Sequence, residues 1–245
     1  FNGDFSFEEK IEQTLMENNP DQKIIHLNDE LTENELMPFV EHDHDHGEEH
    51  DEDDHDHDDE QAEEEHVEDE HMHEEEEDEH GHESEYMDPH TWLSPELVVR
   101  QLPAIVVALK DVDEANTQYY VDNAVVVVNK LEALVATLHE KLDRHWGRTF
   151  VVYHSAYSYF AREFNLNQLH IEVAGKEPSA AQLKEQIDAA SDQRVGAIFL
   201  EKQFATRTAE SVAAELGVSV QAVDPLAENY YESLELFASQ LEESF

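Results

Sequence analysis

From residue 148 to the end, the chain alternates between two hydrophobic periods. "RTFVVY", "LHIEVA", "VGAIFLE" and "VSVQAVD" are short apolar runs rich in β-branched and aromatic residues, and they read as strands. Between and after them lie "SAYSYFAREFN", "PSAAQLKEQIDAASDQ", "ATRTAESVAAELG" and "NYYESLELFASQLEESF", where apolar residues recur every three or four positions, as on one face of a helix. Ser179 and Gln182 are spaced as a capping box at the start of one of these helices. Strand, helix, strand in strict alternation predicts an α/β fold, a parallel sheet covered by helices.

Upstream, "DEANTQYYVDNAVVVVNKLEALVATLHEKLDRHW" is the longest periodic segment, with Tyr120, Ala124, Val127, Leu131, Leu134 and Leu138 on one stripe. At 1.5 Å per residue it spans roughly 45 Å, long enough to be a rigid spine between two lobes. Before it, "LSPELVVRQLPAIVVALKDV" has Ser94 placed as an N-cap and Pro95 at the first helical position, with a kink expected at Pro103. Near the start, Asn2-Gly3 is a turn signal, and Phe7, Ile11 and Leu15 predict a helix. "QKIIHLND" reads as a short buried strand. Helix then strand is an α/β unit whose earlier strands are missing. The chain opens on Phe1 rather than Met, so an upstream part is expected to have been removed. The domain reading is an incomplete N-terminal lobe over 1–112, a linking helix over 113–145 and a C-terminal α/β lobe over 146–245.

Residues 41–85 break both periods. The tract holds 27 acids and eleven histidines (42, 44, 46, 50, 55, 57, 66, 71, 73, 80 and 82) and no Lys or Arg. With almost nothing to bury, it is expected to be a disordered, self-repelling loop. The whole chain of 245 residues has a formal charge of −47. Such a field repels phosphate and disfavours nucleic acid, but it attracts cations. No cysteine is present, which excludes disulfides, iron–sulfur clusters and thiolate zinc sites. No signal peptide and no apolar run of membrane-spanning length is present.

In a parallel α/β sheet, ligands bind beyond the carboxyl ends of the strands. His154 follows "TFVVY", Glu201 closes "AIFLE", Asp224 follows "VQAV" and is held by Pro225, and Glu177 stands after "LHIEVAGK". One rim thus gathers an imidazole and up to three carboxylates, with Lys176 and Lys202 the only bases beside them. Nitrogen and oxygen donors of this kind suit Zn2+. His90, between Pro89 and the apolar Trp92 and Leu93, is a pre-oriented candidate from the other lobe. Glu201 and Glu177 have plainer readings, as a hydrogen-bonding carboxylate and a helix-start acid. His26 and His170 fall in strands and read as core or edge residues, while His139 and His145 suit the negative end of the long helix.

"MDPHTWLSPE", "VVYHSAYSYFAREFNL", "EPSAAQLKEQI", "AIFLEKQF" and "VDPLAENYYESL" resemble, in order and spacing, the zinc-specific solute-binding proteins of ABC-type metal importers, and the acidic histidine tract before the first motif is typical of them too. The resemblance spans essentially the whole chain. It implies two α/β lobes joined by a long rigid helix, a metal cleft between them, an extracytoplasmic (periplasmic) receptor that is exported, a permease partner in the membrane, and no enzymatic activity. It also implies a monomer that binds zinc as cargo through His90, His154 and Asp224. Manganese and iron relatives tend to carry a carboxylate where His154 stands, so the second imidazole favours zinc. The family's further ligand histidine, early in the N-terminal lobe, has no counterpart here. His26 stands in the wrong context, and the first residues match from mid-lobe.

The loop histidines read as weak auxiliary zinc capture, fading as imidazole protonates below about pH 7. The string "HGEEH", His46 to His50, matches a zinc-peptidase pattern, but in a tract of His, Asp and Glu such strings are unavoidable. Three readings compete with a zinc receptor: a manganese receptor of the same family, a zinc-dependent hydrolase with an open fourth position, and a metal-buffering surface protein.

Overall fold

The four C-terminal strands form one parallel sheet in the order β2-β1-β3-β4, where β1 is Thr149–Val152, β2 Asn167–His170, β3 Ala197–Glu201 and β4 Ser219–Val223. The protein is described by a computed structural model over residues 1–2, 6–38, 87–173, 176–204 and 207–245. The acidic histidine tract, the "HGEEH" string, Gly3 and part of "VAGKEP" lie outside these described residues.

Alternating side chains along the strands build two cores. Phe150, Val152, Phe199 and Val223 face one side, packed by Leu134, Leu138, Phe160, Phe237 and Leu241. Val151, Tyr153 and Ile198 face the other, packed by Ala190, Val195, Ala209 and Val212. Before the sheet come α1 (Ser6–Asn18), α2 (Pro95–Val112) and α3 (Thr117–Leu142), and between and after the strands come α4 (Ser158–Glu163), α5 (Ala180–Asp192), α6 (Arg207–Leu216) and α7 (Tyr230–Ser244). The first core therefore takes its cover from α3, α4 and α7, and the second from α5 and α6. The strand–helix alternation and the α/β class stand as the sequence implies.

The caps follow the local chemistry. Ser94 accepts from the Leu97 amide at the start of α2, and the Ser179–Gln182 capping box closes reciprocally at the start of α5. Each satisfies amides that a helix start leaves without intrahelical partners. α2 runs on through Pro103. Gly217, at φ +70°, ends α6 in the left-handed conformation glycine adopts without a Cβ clash. Of the long segment expected over 113–145, residues 117–142 are α-helical, flanked by 3-10 turns. The second half of α3 buries Leu131, Leu134, Leu138 and Leu142, while Tyr119, Val125 and Val126 in its first half are exposed.

Two strand expectations need correction. "QKIIHLND" does not form a sheet strand. Beyond local turns, its backbone pairs with the first two residues: the Phe1 amine donates to the Ile25 carbonyl, and the Leu27 and Asn28 amides donate to Phe1 and Asn2. Its second half is not extended at all: Leu27–Glu30 forms a 3-10 turn with His26 at its start, and residues 22–26 find no strand of their own length to pair with among the described residues. β2 also ends earlier than "LHIEVA" suggests. The Ile171 amide reaches the Val152 and Tyr153 carbonyls, the chain bends there, and Glu172 leaves the strand.

Candidate metal centre

Chain order and spatial order part company between β1 and β3: from β1 the chain steps outward to β2, then crosses back to β3. The carboxyl ends of β1 and β3 therefore open a crevice where the connections diverge, the usual ligand site of such sheets. His154 stands there, two residues past β1. Its amide donates to Glu201 Oε2 at 3.1 Å, so the carboxylate ending β3 holds the backbone of the histidine following β1. The early end of β2 supplies the next piece. The Glu172 amide donates to the Tyr153 carbonyl at 3.1 Å, which sets the Glu172 carboxylate against His154 Nδ1. The imidazole packs on the Phe204 ring at 5.4 Å between centroids.

His90 caps the short 3-10 turn Thr91–Leu93 that leads directly into α2. Asp88 Oδ1 accepts both the His90 amide at 2.9 Å and its Nδ1 at 2.7 Å. The Asp88 carbonyl accepts the Tyr159 hydroxyl at 2.6 Å, and the Asp88 amide donates to Met37 at 2.7 Å. Behind the turn, Asn28 Oδ1 accepts from Thr91 at 2.9 Å and from Gln101 at 3.0 Å. Trp92 packs 5.2 Å from the His90 ring, as its place in the sequence suggested.

The two imidazoles meet. His90 Nε2 and His154 Nε2 face one another at 3.2 Å, with the rings nearly perpendicular. Each Nδ1 lies against a buried carboxylate, Asp88 or Glu172, each 2% exposed. A carboxylate accepts, so Nδ1 carries a proton, and in the neutral form of each ring the lone pair is on Nε2, where both Nε2 atoms face one gap. At Zn–N distances of 2.0–2.1 Å and a tetrahedral angle, two such nitrogens stand about 3.3–3.4 Å apart. The gap observed is therefore close to the span that one tetrahedral ion bridges.

The electrostatics point the same way. Burial alone pushes the His154 imidazole down, but the hydrogen bond and charge of Glu172, with the charges of Glu201 and Asp88, outweigh it and hold the imidazole above the usual histidine value. Glu201, fully buried, is pushed up to about 7 by desolvation, against the hydrogen bond from His154 that favours its charge. Its Oε1 has no hydrogen-bond partner. Three carboxylates thus surround two imidazoles in a largely water-free setting, and a cation relieves that excess of negative charge.

Asp224, the third candidate, directly follows β4 and precedes Pro225, whose carbonyl accepts the Trp92 indole at 2.9 Å. Its carboxylate is turned toward the end of β3. Oδ1 accepts from Gln203 at 2.9 Å and from the Leu226 amide at 3.2 Å, and Oδ2 lies 3.5 Å from Lys202 Nζ. The Gln203 hydrogen bond, with Leu226 and Lys202, holds this carboxyl below the usual range despite some desolvation. Among the described residues, no three His, Cys, Asp or Glu side chains converge tightly enough to hold a metal. The structure therefore brings two of the three sequence candidates together, while the Asp224 carboxylate is engaged by Gln203, Leu226 and Lys202.

The secondary candidates go elsewhere. Glu177 accepts from Thr208, His26 pairs with Glu12 at 2.8 Å, His139 pairs with Asp143 at 2.8 Å, and His145 packs on Phe245. His170, in β2, lines a cavity of about 310 Å³ behind Asp88. Sequence reasoning missed Asp88 and Glu172 as partners of the imidazoles. Asp88 stands two residues before His90 in "MDPH", and Glu172 lay hidden in a strand read too long.

The same residues sit in a recognisable family. A profile described as ZnuA, zinc-uptake complex component A periplasmic, matches residues 1–244. The high-affinity zinc uptake system protein ZnuA of Bacillus subtilis (strain 168) is 32% identical over 147 residues, covering 58% of this chain and 46% of that protein. A crystal structure of ZnuA is 40% identical with a TM-score of 0.63, covering 65% of this chain and 62% of that one. A ZnuA deletion mutant with zinc bound is 40% identical with a TM-score of 0.62, over 65% and 61%. The chain spans about half the length of the Bacillus relative. With a family match from the first residue to the last but one, the chain belongs to the ZnuA family of zinc-uptake proteins.

Proposed function

We propose that this chain is the zinc-capturing part of an extracytoplasmic receptor that delivers Zn2+ to an ABC permease. One observation carries the reading: two imidazole Nε2 atoms from distant segments face each other at 3.2 Å, each ring fixed through Nδ1 by a buried carboxylate. Neutral imidazoles suit zinc better than manganese, which prefers oxygen donors. His90 and His154 bind the ion first. Asp224 joins as the third protein ligand, and the ion leaves intact, since a receptor holds cargo without turning it over. Residues 1–112 and 146–245 act as the two lobes, linked by α3. Membership of a zinc-uptake family supports the zinc cargo, the permease partner and the compartment. Among the described residues no helix is long and apolar enough to cross a membrane.

The acidic histidine tract serves as auxiliary, low-affinity capture. Its carboxylates concentrate cations and its imidazoles ligate them in passing. Competition titration against a fluorescent zinc chelator tests both parts. His154→Ala abolishes the tight site, while deleting residues 42–84 leaves it in place and removes only weaker sites. The reverse pattern would make the tract the primary site and overturn the reading.

A further inference from the structure

The turn that closes β3, Glu201–Phe204, reaches both candidate ligands of the C-terminal sheet. Glu201 accepts the His154 amide, and Phe204 packs on the His154 ring. Lys202 and Gln203 instead address Asp224. The Lys202 amide donates to the Val223 carbonyl at 2.9 Å, fixing the turn against the end of β4. The Gln203 amide group donates to Asp224 Oδ1, and the Lys202 ammonium stands 3.5 Å from Oδ2. Both carboxylate oxygens are thereby engaged from one side, and one of the engaging groups is itself a cation.

A carboxylate in that state is a poor ligand. Its charge is partly neutralised and its Oδ1 lone pairs are in use, so an arriving divalent ion must displace donors already present. The Asp224 carboxylate is about a quarter exposed and the Lys202 ammonium is largely exposed, so the exchange requires no unfolding. Zinc and the Lys202 ammonium compete for one carboxylate, and the winner determines whether Asp224 turns to the imidazole pair or stays on the β3 turn.

Resting on the reading of Asp224 as a zinc ligand, we propose that Lys202 and Gln203 form a latch that withholds Asp224 from the ion and so sets how tightly and how reversibly zinc is held. Lys202 is then an affinity-determining residue that never touches the metal. The latch also gives the receptor a route to release. When the β3 turn recaptures Asp224, the ion is left with one carboxylate fewer.

The test is zinc affinity by chelator competition and dissociation by stopped flow, on the full chain, for Lys202→Ala, Gln203→Ala and both together, each in the native and the Asp224→Asn background. An exposed ion pair is worth little, so Lys202→Ala is expected to bind roughly two- to fivefold tighter, mainly through slower dissociation. The double variant is expected to gain about tenfold, from one ion pair and one hydrogen bond. In the Asp224→Asn background both gains vanish, because the latch has nothing to hold. If Lys202→Ala changes neither affinity nor dissociation while Asp224→Asn weakens binding, the latch is wrong and the ligand assignment stands. An equal gain in both backgrounds would mean that Lys202 acts only through its field on the incoming cation, which also overturns the latch. If Asp224→Asn leaves zinc binding untouched, the ligand assignment fails and the latch fails with it.

Discussion

The Trp92 indole donates to the Pro225 carbonyl at 2.9 Å, joining the residue two after His90 to the residue one after Asp224. The Tyr230 hydroxyl returns the connection, donating to the Trp92 carbonyl at 2.8 Å. The segment that carries His90 is therefore tied to the sheet rim by one side chain of its own turn and one from the start of α7. Trp92→Phe keeps an aromatic ring and removes the donor, leaving a carbonyl with one partner fewer. It is expected to lower unfolding free energy by about 1–2 kcal/mol, read from denaturant midpoints. It is also expected to weaken zinc binding several-fold as His90 loosens. A variant of native stability and affinity would mean that this tie does not position His90.

Glu172→Gln addresses the His154 tautomer. The amide keeps the shape and loses the charge that raises the His154 imidazole. Two effects are expected in zinc affinity measured from pH 5.5 to 8.5. The plateau above neutrality falls about 10- to 100-fold, the usual consequence of losing a partner behind a ligand histidine. The acid fall-off moves to lower pH, because burial, now opposed by fewer charges, pushes the imidazole down and protons compete less well. An unchanged fall-off would mean that Glu172 does not govern His154.

Glu201 predicts a stability signature. Its folded-state value of about 7 stands above the ordinary 4.5, so the native state binds this proton more tightly than the unfolded chain does. The group thus favours the metal-free fold at low pH, and that contribution is lost as pH rises from about 4.5 to 7, at most about 3 kcal/mol. His154, also raised, acts in the same sense, its contribution lost as pH rises through its folded-state value. Glu201→Gln keeps an acceptor for the His154 amide and removes the titration. Its stability relative to the native protein is therefore expected to improve steadily across that window in chemical denaturation without zinc. Parallel curves for the two proteins would contradict the assignment.

Metal removal supplies a further check. Zinc bound at the pair neutralises buried carboxylate charge and stabilises the fold by mass action. The gain in melting temperature on adding zinc is expected to be larger at pH 7.5 than at pH 5.5, since protons hold His154 and Glu201 at the lower value. An equal gain at both would place the ion away from these groups.

How much of this was legible in the residues depends on range. The helices and strands of 148–245, apart from the end of β2, follow from local hydrophobic periods, and the rim position of His154 follows from its place directly after a strand. His90 could be singled out by its motif and its family resemblance. Asp88 and Glu172 could not be assigned their roles, because those depend on where β2 stops and on how a turn folds back on its own aspartate. The end of β2 is decided by the Ile171 amide meeting carbonyls of β1, a contact that no local pattern contains. The "QKIIHLND" segment failed as a strand for the same reason: pairing needs a partner, Phe1 and Asn2 are its only cross-chain backbone partners among the described residues, and from Leu27 the chain turns into a 3-10 helix. The orientation of Asp224 rests on two side chains from the neighbouring strand end, equally invisible along the chain.

Zinc K-edge X-ray absorption on the one-to-one zinc complex of the protein lacking residues 42–84 tests the central claim most directly, since no tract histidine can then contribute. Two imidazole nitrogens at about 2.0–2.1 Å are expected, falling to one in His154→Ala and to one in His90→Ala. A spectrum that keeps both imidazoles in either variant would put the ion somewhere other than between His90 and His154.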